Sequence, residues 1–344
     1  MPTKTSIEWT DYSVNPLRAR AHGKRGWSCA KTSPGCLNCY SEAINKRFGN
    51  GLDYNGAGVK AADHYLAMNE LAEILKFRPK PPFKNDRNRC MVFPFDMTDL
   101  FGDWVPDSVI DTFMAVVALR PDMDFMVLTK RADRLPLYHN GDDLGHRVAM
   151  TVASWISAPP ARDFLAKQKD RCAKLYAKTI QGKPDYYSWQ LPLANLWQGV
   201  SAEDQTRAEQ RLPGLLKANV AVRFVSYEPL LGPIDVLRIE KEVGSAKGGC
   251  PALPLLDLGI IGGESGSGAR PCNVEWIRSL IDQHKQAGIA CFVKQLGSEP
   301  RPSALPSDVA VRYIKHPKGG DPQEWPPDLR VRQFPGVEAA CKTT

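Results

Sequence analysis

The chain has 344 residues, 43% hydrophobic and 24% charged, which excludes wholesale disorder and allows a core that needs no disulfide staples. Lys and Arg outnumber Asp and Glu by 45 to 38, a net charge of +7 that is compatible with a polyanionic partner without demanding one. No uninterrupted run of 18 apolar residues occurs, and Met1-Pro2-Thr3-Lys4 has no apolar segment behind it, so neither a membrane span nor secretion is expected and the expected location is the cytoplasm.

In chain order, a first, poorly defined strand is expected at Ile7-Glu8-Trp9-Thr10. Three bunched cysteines follow, and then a helix from Tyr40 to Phe48 that Gly49 ends. Further strands are predicted at Cys90–Phe95, Phe125–Thr129, Leu196–Ser201, Val222–Ser226, Leu258–Ile261 and Ala290–Lys294. Most are short, nearly continuous apolar runs, the pattern of strands buried on both faces of a parallel sheet. Helices fill the gaps. Asp107–Leu119 carries Ile110, Phe113, Met114 and Val117 on one face and stops at Pro121. Asp204–Asn219 is amphipathic through Leu212, Leu215 and Leu216, and Asn273 caps a helix that Gly288 ends. The alternation predicts an α/β fold, a partial or nearly closed barrel of six or seven strand–helix units. One domain, 1–299, is expected, with insertions at 132–195 and 238–256 and a Pro-rich tail, 300–344, on the surface.

The strands end in chemically capable residues: Asp96 and Asp99; Thr129, Lys130 and Arg131; Ser201 and Glu203; Ser226 and Glu228; Gly262, Gly263 and Glu264; Lys294 and Gln295. In α/β barrels these ends converge on one face, where ligands bind. Helix capping is the plain alternative at any single position. The run Gly262–Gly268 lacks the Lys-Ser/Thr pair of a phosphate-binding loop.

Nine cysteines without a leader point to a reducing compartment. Cys29, Cys36 and Cys39, spaced x6 and x2, are the sharpest feature, flanked by Arg18, Arg20, Lys24, Arg25 and Lys31. Nearby positive charge favours thiolate over thiol. Zinc is one reading, with His22 as a fourth ligand, and fortuitously close free thiols are another. A 4Fe–4S cluster on three cysteines is preferred, because clusters are held by thiolates at such short spacings. Its open iron can bind S-adenosylmethionine.

The chain resembles a phage- and prophage-associated family of radical-SAM-like proteins with a three-cysteine motif. The resembling residues are Ile7–Thr10, Asn15-Pro16, Ser33–Tyr40, Asp96–Phe101, Leu128–Arg131, Gly199–Glu203, Arg223–Pro233, Gly262–Gly266 and Ala269–Pro271. The spacing x6 then x2 departs from the x3 then x2 common among radical SAM enzymes. The resemblance implies a radical SAM type of barrel, reductive cleavage of S-adenosylmethionine and hydrogen abstraction from a substrate. Some relatives belong to thymidine hypermodification, in which a glycyl group on the thymine methyl is rearranged from nitrogen-linked to carbon-linked within DNA. The implied partners are DNA and a reductase or flavodoxin-like electron donor, and the implied setting is the host cytoplasm if the chain is phage-encoded. Carried over by strand order, Asp96 and Asp99 are expected at the methionine part, Ser201 and Glu203 at the ribose, and Gly262, Gly263 and Glu264 at the adenine. Ser226 joins this cofactor set. Lys130, Arg131 and Lys294 are expected at a substrate carboxylate or phosphate, with Glu228 in the same catalytic group. Lys76, Arg78, Lys80, Lys84, Arg87 and Arg89, together with the basic stretch 162–183, are expected at DNA phosphates. Trp155, Trp189, Tyr186 and Tyr187 are expected to stack on bases. A small-molecule or peptide substrate, or a non-catalytic metal-containing nucleic-acid-binding protein, is the alternative.

Overall fold

The computed structural model describes residues 2–157, 189–239, 255–303 and 305–336. The main strands are β1 (Thr3–Lys4), β2 (Tyr12–Val14), β6 (Cys90–Pro94), β7 (Met123–Thr129), β8 (Leu196–Ser201), β9 (Val222–Tyr227), β10 (Leu258–Gly262) and β12 (Ala290–Gln295). Between β2 and β6 lie β3 (Leu17–Ala21), β4 (Lys24–Gly26) and β5 (Asp63–Leu66); β11 (Cys272–Asn273) and β13 (Pro300–Arg301) pair late in the chain. The helices are α1 (Tyr40–Phe48), α2 (Gly56–Ala61), α3 (Met68–Lys76), α4 (Asp107–Leu119), α5 (Arg134–His139), α6 (Leu144–Ser157), α7 (Gln205–Lys217) and α8 (Val274–Ala287).

The fold is α/β, built on one eight-stranded sheet that curls into half a barrel, in the order β1-β2-β6-β7-β8-β9-β10-β12. From β2 onward every neighbouring pair is parallel, and β1 is an antiparallel edge. Parallel neighbours need crossovers, and α4, α7 and α8 supply them. The two-residue period of the strands sorts side chains onto two faces. Val92, Phe125, Val127, Val225, Ile261 and Val293 face out, against Phe113, Val117, Leu212 and Leu280 of the helices. Met91, Phe93, Met126, Trp197, Phe224, Ile260 and Phe292 face in and floor the concave side together with Trp9. Truncating a buried ring such as Phe224 or Trp197 to Ala costs about 3–5 kcal/mol.

The expected strand at Ile7–Thr10 is not formed; its residues turn, and the strands lie either side of it. Trp9 is drawn inward as part of the floor, and Thr10 Oγ1 donates to the Met91 carbonyl at 3.0 Å. Within 132–195, α5 and α6 form; the stretch 162–183, Tyr186, Tyr187 and most of 238–256 lie outside the described residues. Trp155 and Trp189 are buried in the outer core, so they are not placed to stack on bases. The tail after Pro300 does more than line the surface: Trp325 and Leu329 enter the core, and the Val293 amide donates to Val331 O at 2.8 Å. No helix among the described residues is long and apolar enough to cross a membrane.

Candidate functional site

Because all seven parallel strands run the same way, their C-terminal ends share one rim. The residues following inward-facing positions keep that parity, so Lys130, Ser201, Ser226, Gly262 and Lys294 stand above the apolar floor. Lys130 Nζ donates to Ser201 Oγ at 3.2 Å. Lys294 Nζ lies 2.6 Å from Glu228 Oε1, which also accepts from Gln295 Nε2 at 3.1 Å. A Cβ on Gly262 would sit 3.3 Å from the Glu228 carboxyl carbon, so the glycine leaves that carboxylate its place. Gly263 has a different reason: a Cβ there would meet the Leu296 carbonyl oxygen at 2.3 Å.

The cysteine loop lies across this rim, held by residues from four strand ends. Thr98 Oγ1 donates to Ser28 O at 2.7 Å after β6, and Arg131 Nη2 donates to Ala30 O at 2.9 Å after β7. After β8, Glu203 Oε1 accepts from the Gly35 amide at 3.0 Å. After β10, Glu264 accepts from Asn38 Nδ2 at 3.0 Å, and Arg270 reaches Pro34 O at 2.9 Å. Tyr40 Oη donates to Asp96 O at 3.1 Å and Ser41 Oγ to the same carbonyl at 2.8 Å. Further out, Glu42 accepts from the Tyr54 amide and pairs with Lys31.

The acidic groups at the rim are therefore engaged in positioning. Asp99 is buried and accepts from Thr129 Oγ1 at 2.7 Å, Lys130 N at 3.1 Å, Phe101 N at 3.0 Å and Arg131 Nη1 at 2.8 Å. Glu203 is fully buried, and its other oxygen meets Arg211 Nη1 at 2.9 Å. Burial alone would raise its pKa, but Arg211, a Ser33 hydrogen bond and Lys130 together hold it below the usual carboxylate range. Glu264 is likewise kept low by Arg270 and Asn38 against the pull of burial. Asp96 goes the other way: burial outweighs its bonds to Asn15 and Tyr40 and raises its pKa.

Cys29, Cys36 and Cys39 are free and half-buried. Burial pushes the Cys29 thiol up to about 12; the Asp99 charge adds to this and Arg131 opposes it. At Cys36 burial also raises the pKa, but Lys130 and hydrogen bonds from Thr32 and Ser33 win, and the thiol is lowered. The flanking cations expected to act on the thiols are placed elsewhere: Arg18 pairs with Glu70 and Lys31 with Glu42, and the cations that reach the thiols come from the end of β7. Tyr40 keeps about 53% of its surface in solvent, yet its hydroxyl is close enough to Asp96, Cys39 and Glu228 for their charges to raise its pKa on top of burial.

Among the described residues no three His, Cys, Asp or Glu side chains are gathered as they would be around a bound metal ion. A four-iron cluster asks for something different, since each thiolate binds its own iron. Three free, half-buried thiols on one pinned loop are the donor type such a cluster takes.

Three of the cations expected at DNA phosphates have partners within the chain. Arg87 and Arg89 precede β6 and pair with Asp124 at the start of β7, and Lys84 Nζ bonds Thr5 O and Ile7 O. They lie at the opposite end of the sheet from the rim. Sequence reasoning missed Asn38, Arg211 and Arg270 as loop supports. Arg211 had a signal, a lone cation beside Leu212 and Leu215 on the apolar side of α7.

No curated protein and no solved structure matches the chain. A family model does match, over residues 4–319, nearly the whole of the chain. The chain belongs to the family described as protein of unknown function DUF5131.

Proposed function

We propose that the chain is a radical S-adenosylmethionine enzyme with a 4Fe–4S cluster on Cys29, Cys36 and Cys39. Its proposed substrate is a thymine-derived base in DNA, on which a nitrogen-linked glycyl group is rearranged to a carbon-linked one. The observation that carries the reading is the pinning of the three-cysteine loop across the C-terminal ends of a parallel half-barrel, above an inward polar layer. When bound, the cluster supplies one-electron reduction of S-adenosylmethionine, with the electron drawn from a reductase or flavodoxin-like donor.

The chain's own residues do the rest. Arg131, Glu203, Glu264 and Arg270 hold the loop across the rim. The aromatic floor of Trp9, Trp197, Phe224 and Phe292 closes the concavity from below and excludes water there. Lys130 brings positive charge beside Cys36, where it favours the thiolate a metal needs. A glycyl group carries an amine and a carboxylate. The Glu228–Lys294 pair offers one charge of each sign in the polar layer, with Lys294 for the carboxylate and Glu228 for the amine. Ser201, which accepts from Lys130, would take the ribose of S-adenosylmethionine, and Lys130 a carboxylate or phosphate of the substrate.

The test is anaerobic reconstitution, iron and sulfide analysis, and mass spectrometry of nucleosides from DNA treated with the protein, S-adenosylmethionine and a reductant. Lys294→Met and Glu228→Gln are expected to lose base rearrangement and keep uncoupled cleavage of S-adenosylmethionine. A reconstituted parent that holds four irons and leaves S-adenosylmethionine intact overturns the reading.

A further inference from the structure

Positive charge is unevenly spread along this chain. Residues 17–66 hold eight Lys and Arg against three Asp and Glu, so five of the seven net positive charges fall in one short stretch. That stretch builds the three-stranded antiparallel sheet β4-β3-β5 beside the cysteine loop. The hairpin turn is His22-Gly23, with φ of 52° and 73°, and it fixes the register Ala21 to Lys24 and Arg20 to Arg25. On the other side Arg20 stands across from Asp63 and Arg18 across from Tyr65. Ala19, Ala21 and Gly26 are buried beneath this sheet; a Cβ on Gly26 would strike Asn45 and Asn50. Arg18, Arg20, Arg25, Tyr65 and Trp27 therefore share the opposite, outer face, and Lys24, opposite Ala21 but exposed beside the turn, stands at its edge.

We propose that this outer face binds a single-stranded stretch of nucleic acid. Like charges directly opposite each other destabilise a sheet, and Arg20 against Arg25 is such a pair. Both are exposed, as is Lys24, and among the described residues no carboxylate lies within 4.0 Å of any of the three. A phosphate backbone supplies the missing counter-charge. The Arg20 guanidinium lies 4.2 Å over the Tyr65 ring and that of Arg18 lies 4.3 Å over Trp27. These are flat cationic plates backed by aromatic rings, the kind of surface on which bases stack. An acidic protein would use the charge and have no need of the plates.

The face also leads toward the rim. Arg18 lines a polar cavity of about 290 Å³ with Thr3, Ser13, Val14, Asn15 and Glu70. Asn15 in turn bonds Asp96 at the end of β6. A strand lying on the sheet thus runs toward the concavity, where a target base would have to be unpaired. This inference rests on the proposed nucleic-acid substrate only for the route; the binding itself needs neither cluster nor turnover.

The test uses the full chain, a labelled oligothymidylate and fluorescence anisotropy at several salt concentrations. Arg20→Gln with Lys24→Gln and Arg25→Gln is expected to lower the salt slope by about 2, at roughly 0.7 per single-strand contact. That is about a hundredfold in affinity at 0.1 M salt if the two lines meet at 1 M. Arg20→Lys keeps the charge and loses the plate, so its slope should match the parent while its affinity falls several-fold. All three positions are exposed, and unchanged melting confirms folding. A triple variant that binds like the parent overturns the placement and leaves the proposed chemistry standing. A parent that binds no oligothymidylate overturns this inference together with the nucleic-acid substrate, while the assay of S-adenosylmethionine cleavage decides the cluster separately. If polyglutamate competes as well as the oligonucleotide, the face is a docking site for acidic protein and the inference fails.

Discussion

Replacing Glu203 by Gln keeps the side chain's shape and its acceptor for the Gly35 amide, while removing the charge that faces Arg211. Both partners are buried, Glu203 completely and Arg211 with 5% exposed. Removing one member of such a pair leaves an uncompensated buried charge and costs about 3–5 kcal/mol. At about 2.1 cal/mol/K per residue, unfolding 344 residues carries an entropy of about 0.7 kcal/mol/K, so the melting temperature should fall by about 4–7 °C. Glu203→Gln with Arg211→Met removes the orphaned charge and should recover part of the loss. The pH dependence gives a second reading. The folded pKa of Glu203 is depressed, so its contribution is present above the ordinary Glu value of about 4.5 and is lost as pH falls below it toward the folded value. The variant should lack that portion of the parent's acid lability. Differential scanning fluorimetry across pH, with limited proteolysis of the segment around Gly35, measures both. Equal melting of parent and variant at neutral pH would refute the supporting role and release this carboxylate for a ligand.

Cys29→Ala, Cys36→Ala and Cys39→Ala should each lose iron on anaerobic reconstitution, whereas Cys90→Ala and Cys291→Ala, at buried sites away from the loop, should keep it; iron analysis of the five proteins decides this. His139 and His284 are buried, with pKa values pushed down to about 4 by desolvation. The unfolded chain takes up these protons near 6.5 and the folded chain does not, so stability should be complete above about 6.5 and fall as pH drops toward 4, by up to about 1.4 kcal/mol per unit for each histidine. Urea midpoints that stay flat between pH 7 and 5 would contradict this. Gly263→Ala forces a methyl to within 2.3 Å of the Leu296 carbonyl oxygen and should cost about 1–3 kcal/mol or more, while Gly232→Ala, whose nearest neighbour is 3.8 Å away, should melt like the parent.

Much of the architecture was legible along the chain, because short apolar runs and amphipathic segments depend on local order. Helix α4 falls on Asp107–Leu119 and α1 on Tyr40–Phe48 as their periodicity and stop residues indicate, and Asn273 caps α8 with its side chain on the Glu275 amide. The clustering of polar residues at strand ends was also visible, since parallel strands bring those ends to one rim. The small sheet β4-β3-β5 was not, because its strands are three to five residues long and its turn is His-Gly, a weaker signal than Asn-Gly. Trp9 misled for a related reason: Ile7 and Trp9 alternate with polar residues as they would in a strand, but both pack on the concave floor without one.

By itself, then, the sequence determined the strand–helix alternation, the three-cysteine motif and the surplus of positive charge, all of which are written in residue order. Only the tertiary structure decided what each rim residue does. Asp99, Arg131, Glu203 and Glu264 carry the same charges whether they grip a ligand or a loop, and it is Thr129, Ala30, Gly35 and Asn38 arriving from distant parts of the chain that turn them into supports. The same holds for the cations: Arg87 and Arg20 look alike in sequence, but one is neutralised by Asp124 at the far end of the sheet and the other lies exposed beside Arg25, because partner and direction are properties of the fold.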